Sequence, residues 1–311
     1  MKRLQNRIAE SGIILPVMAV YALVIWMLGN TVANNWWPQL VCYAVTVYLI
    51  IEMSNSNALL RIRSRMVSCT FIMLTCMLSP QFGSLTGGLM LLFWTAATLI
   101  LFSTYQDNQA VGRVFYAFVF LSGASIVFVK SLWLIPVVWV LMLTQLQSLS
   151  WRTWMASVIG LLTPYWFFML WFIYANDFSP LFTHLAGLWE IEFTFDYTML
   201  TPGLVSTYLL TFGLTLAGII HFWHRSFEDK IRIRLLYGFF TTMSLLLFAL
   251  IALLPQYYDP LIRLAFIFAC PLIAHLGTFT STRISNIVFF VILALAMTIT
   301  ALNLWTHSLR F

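Results

Sequence analysis

The chain is 311 residues long, 61% hydrophobic and 8% charged, with a mean hydropathy of +0.91. A soluble domain draws about a quarter of its residues from the charged types, so this composition excludes a water-soluble globule and fits a protein solvated mostly by lipid. The formal net charge is +6, but the basic residues stand singly or in small groups, and no long basic run offers nucleic acid a footprint.

A helix needs about 20 apolar residues to cross the roughly 30 Å hydrocarbon core. In chain order the apolar stretches are 12–29, 39–54, 66–79, 88–104, 113–129, 131–147, 154–175, 202–222, 235–253, 261–279 and 285–305. They predict an all-α, polytopic transmembrane bundle of eleven spans, forming a single membrane domain over 1–311. The basic start, Met1–Glu10, followed by an apolar run has the outline of a signal peptide. That run is long enough to span and no small-residue cleavage site follows it, so it reads as a retained first helix. Residues 113–147 show no obvious loop, and as one helix they would be about 50 Å long. A tight hairpin near Lys130 and Ser131 is expected instead.

Basic loops stay on the cytoplasmic side of a membrane, whereas carboxylates carry little topogenic weight. With the N-terminus inside, thirteen of the sixteen Lys and Arg residues fall inside, among them Arg61, Arg63, Arg65 and the group Arg225, Lys230, Arg232 and Arg234. Lys130, Arg263 and Arg310 are left outside, and the C-terminus is outside as well. The expected location is the inner membrane, crossed many times. Trp36 and Trp37 then lie at an outer boundary and Trp151 and Trp154 at an inner one, where indole is half wet. Pro16, Pro136, Pro164 and Pro271 fall within four of the stretches, where each removes a backbone donor.

One outer connection, 176–201, is long, holds four carboxylates and has no Lys or Arg, and reads as an acidic loop with an amphipathic segment at the outer interface. Its first half starts like a helix, with Ser179 as N-cap and Pro180 in the first turn. In its second half Glu190, Glu192, Thr194 and Asp196 alternate with Ile191, Phe193, Phe195 and Tyr197, the period of an extended ribbon. Glu190, Glu192 and Asp196 are therefore the candidate carboxylates for acid–base work or a hard cation; a merely solvated face is the alternative. Arg263, four residues after Asp259, is the candidate for an anionic headgroup because a guanidinium grips phosphate bidentately; Lys130 is placed to assist. An ion pair of Arg263 with Asp259 is the plainer alternative.

Glu52 is expected to pair with Arg61, Arg63 or Arg65. His221 and His224 share one helix edge at i and i+3, a weak signal for a metal, because the partial negative charge at a helix C-terminus explains histidine there without a ligand role. His184, His275 and His307 read as ordinary. The four cysteines lie in apolar runs without a CxxC, which fits buried thiols, with a Cys42–Cys76 disulfide as the alternative. Glycine loops for phosphate, GxGxxG, HExxH, GxSxG and a paired-aspartate motif are absent. Neither a metal nor a cofactor is expected.

Tyr105-Gln106, Leu121-Ser-Gly-Ala-Ser125, Trp151-Arg-Thr-Trp154 and Ile159-Gly-Leu-Leu-Thr-Pro-Tyr165 resemble an uncharacterised family of polytopic Bacteroidota inner-membrane proteins of about this length, chiefly over residues 100–170. Relatives often bear the label of carotene-cleaving oxygenase, which is rejected here: such enzymes resemble one another as β-propellers with four iron-binding histidines. Three functions are weighed: a non-enzymatic envelope-assembly component, which the missing catalytic set favours; a glycosyltransferase C-like enzyme using a lipid-linked substrate at the outer face; and a transporter or lipid flippase. Against the enzyme, the first outer loop, Asn30–Leu40, lacks the Asp or Glu that its superfamily places there. The expected partners are membrane lipids, with a lipid-linked substrate or other membrane proteins as further candidates.

Overall fold

A computed structural model describes residues 3–190, 197 and 200–308, the last three without their side chains. Among the described residues every regular element is a helix. There are thirteen α-helices: α1 Leu4–Glu10, α2 Ile14–Leu28, α3 Trp37–Asn57, α4 Met66–Cys76, α5 Leu85–Phe102, α6 Val111–Val127, α7 Ile135–Thr144, α8 Trp151–Ala175, α9 Ser179–Ala186, α10 Pro202–Arg225, α11 Ile231–Leu253, α12 Tyr258–Phe279 and α13 Arg283–Ser308. Every stretch expected to span falls on a helix. Among the described residues seven helices are long and apolar enough to cross a membrane, or eight if α1 and α2, bent by 87°, count as one span. The shorter ones set the limit: α4, at 11 residues, is about 16 Å long, half of a hydrocarbon core.

The chain divides into two compact units, one from 1–85 with 194–311 and one from 86–193. In the first, α12 is the axis, packed by α11, α4, α10 and α1. Its stretch from Leu264 to Ala274 is wholly or nearly wholly buried. Pro271 takes away the donor for the Ile267 carbonyl, and the Cys270 thiol supplies one instead, Sγ to oxygen 3.4 Å. In the second unit α6 pairs closely with α8, and a Cβ on Gly160 would lie 2.6 Å from the Phe115 carbonyl oxygen. Ser122 Oγ donates to the Leu161 carbonyl at 2.7 Å, and Ser125 Oγ meets the Tyr165 hydroxyl at 2.8 Å. A capping box of Ser150 and Thr153 starts α8, and Asn176 ends it in the left-handed conformation, φ 52°.

Several expectations are corrected. The basic start is a separate helix, α1, pinned by Gln5, whose Nε2 donates to the Gly277 carbonyl at 2.6 Å and to Thr280 Oγ1 at 2.8 Å. Pro16 and Pro136 sit in the first turns of α2 and α7, where the N–H has no intrahelical partner anyway, so only Pro164 and Pro271 interrupt helices. Ser179 is the first residue of α9 rather than its cap; the Asp177 carboxylate accepts from Ser179 N at 2.9 Å and from its Oγ at 2.7 Å. Those two bonds hold the Asp177 carboxyl below its usual range. All four cysteines are free, so the Cys42–Cys76 disulfide does not form. Of the expected ribbon, residues 191–196 lie outside the described residues.

Candidate functional site

Arg263 is buried near the start of α12, one turn after Asp259. Its Nε donates to Asp259 Oδ1 at 2.7 Å and its guanidinium also reaches the Gln81 carbonyl, while Ser84 Oγ donates to Asp259 Oδ2 at 2.8 Å. Lys130 lies in the 3-10 turn Val129–Leu134 and is also buried. Its Nζ donates to the Glu190 carbonyl at 2.9 Å and stands 5.5 Å from the Trp133 ring. The Glu190 residue is exposed. Glu192 and Asp196 lie outside the described residues. Each boundary cation is thus engaged by protein oxygens in its own unit.

A polar cluster that sequence reasoning missed forms where the α10–α11 turn meets α12. Asp229 is buried, its side chain 2% exposed. Its Oδ1 accepts from Arg61 Nε at 2.9 Å, and Arg61 also pairs with Glu228 and lies 4.4 Å over the Phe279 ring. Oδ2 of Asp229 faces His275 Nε2 at 3.6 Å, and neither atom has a hydrogen-bond partner. On its other side His275 Nδ1 lies 3.3 Å from His221 Nδ1. Burial pushes the Asp229 carboxyl up, and Arg61 pulls it down less strongly.

One sequence expectation fails at this cluster: Arg61 is taken by Glu228 and Asp229 and Arg65 by Asn55, and among the described residues Glu52 makes no ion pair with Arg61, Arg63 or Arg65. His221 meets His275 from another helix rather than His224 from its own. His275, fully buried in an apolar helix, was the available signal: a buried imidazole needs a polar partner. Among the described residues no group of three or more His, Cys, Asp or Glu is arranged to hold a metal ion.

Elsewhere in the same unit, α2, α4, α12 and α13 wall a partly open cavity of about 350 Å³, with Gln5 and Ile8 of α1 also lining it. Met18, Met73, Leu276, Val288 and Phe289 line it, and Tyr21, Thr70, Thr280 and Ser285 add hydroxyls. Its size falls at the low end of ligand pockets, which run roughly 300–1,000 Å³.

No family model, curated protein or solved structure matches this chain.

Proposed function

We propose that this chain is a multi-pass protein of a bacterial inner membrane, N-terminus in the cytoplasm and C-terminus outside, that acts as a non-enzymatic component of envelope assembly and holds the hydrocarbon chain of a membrane lipid. The carrying observation is the apolar cavity of about 350 Å³ walled by α2, α4, α12 and α13. Met18, Met73 and Met297 on its wall supply flexible, polarizable side chains that adapt to a chain of no fixed shape. The multi-pass reading is supported by the seven or eight helices long enough to cross, and eleven crossings further require the shorter α4, α6 and α7 to span; the inward bias of Lys and Arg supports the orientation, and the resemblance over residues 100–170 the bacterial inner membrane. Lys130 and Arg263 are the outer cations expected to meet a headgroup in this reading; neither lines the cavity, and protein oxygens already engage both.

A transporter or flippase is the second reading, favoured by the buried Asp229 and His275, since ionisable groups enclosed in a membrane bundle commonly serve ion pathways. Purification in mild detergent, with identification of the copurifying lipids and proteins, tests the proposal. Retained lipid together with envelope-assembly proteins is expected. Net lipid or solute movement by the purified chain in vesicles would replace it with the second reading.

A further inference from the structure

We propose that His221, His275 and Asp229 form a proton relay from the edge of α10 to a buried carboxyl, and that a proton arriving at Asp229 releases Arg61. The proposal is independent of whether the cavity holds a lipid. It stands on one hydrogen-bonded contact, His221 to His275, and on one near approach, His275 to Asp229, between two buried atoms that have no other partner. Between His221 Nδ1 and His275 Nδ1, 3.3 Å apart, one nitrogen must carry the proton and the other accept it. His275 Nε2 and Asp229 Oδ2 stand 3.6 Å apart, just beyond hydrogen-bond distance and both unpartnered, so a closer approach of a few tenths of an ångström makes the imidazole the donor to the ionised carboxyl.

One arrangement serves both contacts with neutral rings: His221 carries its proton on Nδ1 and His275 on Nε2. A proton taken up at His221 Nε2 then displaces the Nδ1 proton to His275 Nδ1, and His275 passes its Nε2 proton to Asp229 Oδ2. One proton enters, the carboxyl gains one, and both imidazoles finish neutral with their N–H bonds exchanged between ring nitrogens. His221 is only half-buried and is the point of entry; His275 is fully buried.

The surrounding charges fix what the last step does. Arg61 from the connection 58–65, Arg225 from α10, Glu228 after it and Arg234 from α11 act on this cluster, with His224 near His221 and the Tyr237 ring 5.4 Å from that of His275. Arg61 holds Asp229 through one oxygen, so neutralising the carboxyl removes one of its two ionic partners and leaves it the exposed Glu228 and the Phe279 ring. The tie between the 58–65 connection and the α10–α11 turn is then loosened. Burial of Asp229, which favours its neutral form, supports a proton coming to rest there.

Infrared difference spectroscopy of the full chain in lipid vesicles, with isotope-labelled histidine, tests the relay during acidification. The expected result is a protonated-carboxyl band that rises at the same midpoint as the labelled imidazole change, is lost in Asp229→Asn and is kept in Glu228→Gln. His275→Gln keeps a donor and an acceptor beside Oδ2 but removes the group that passes the proton, so the carboxyl band should persist with a midpoint separated from the labelled imidazole change. Separate midpoints for carboxyl and imidazole in the wild type, survival of the band in Asp229→Asn, or a still common midpoint in His275→Gln would each overturn the proposal.

Discussion

Gly218 of α10 lies so close to Leu272 of α12 that a Cβ on it would stand 2.7 Å from the Leu272 carbonyl oxygen. Small residues let helix backbones approach in membranes, where lipid offers no hydrophobic drive to packing. Gly218→Ala should therefore push α10 off α12 and cost about 1–3 kcal/mol, the usual range for overpacking. Gly213, one and a half turns earlier, has nothing within 4 Å of its virtual Cβ. Gly213→Ala should be neutral or stabilise by up to about 1 kcal/mol through helix propensity. Thermal unfolding in detergent reads both; equal effects would contradict the close crossing.

The Arg263–Asp259 tie makes a second prediction. Breaking a buried pair costs about 3–5 kcal/mol, and the 25% exposure of the Asp259 side chain puts Arg263→Ala at the low end, about 3 kcal/mol. Arg263→Lys keeps the charge but loses the fork that serves Asp259 and the Gln81 carbonyl together, so it should be destabilised by less. Lipid retention measured beside the unfolding temperature separates this from headgroup binding. Lost lipid with unchanged stability in Arg263→Lys would assign Arg263 to a ligand.

Topology is open to direct assay. Reporter fusions after Arg65 and after Asp196 should report opposite sides of the membrane, cytoplasmic for the first. Same-side reporters would overturn the charge-based orientation.

Helix content was legible in the sequence because lipid solvation demands long apolar runs, and such runs announce themselves without any tertiary information. The separate α1 was not, since its seven residues, including Arg7 and Glu10, carry no span signal and are held by contacts more than 270 positions away, Gln5 to Gly277 and Thr280. The candidate site was legible only locally. The i,i+4 spacing of Asp259 and Arg263 puts them on one helix edge, and the structure pairs them. His221 and His224 were compared for the same reason, yet the partner of His221 is 54 residues on, on α12. Nothing in helical periodicity could bring Arg61 to Asp229 either, because that pairing depends on how α3, α4, α10 and α11 pack. Glu52 was assigned to the arginines nearest in sequence, and a better-buried acid took Arg61.

The central claim, that the cavity holds a lipid chain, is tested most directly by native mass spectrometry of the full chain released from mild detergent. Met73→Trp and Leu276→Trp fill the cavity from two helices, while Val24→Trp adds the same bulk at an exposed position of α2 away from the cavity wall. The account predicts a tightly held lipid on the wild type and on Val24→Trp, and its loss from both cavity-filled variants at nearly unchanged unfolding temperature. Equal lipid retention in all four proteins, or none on the wild type, would contradict it.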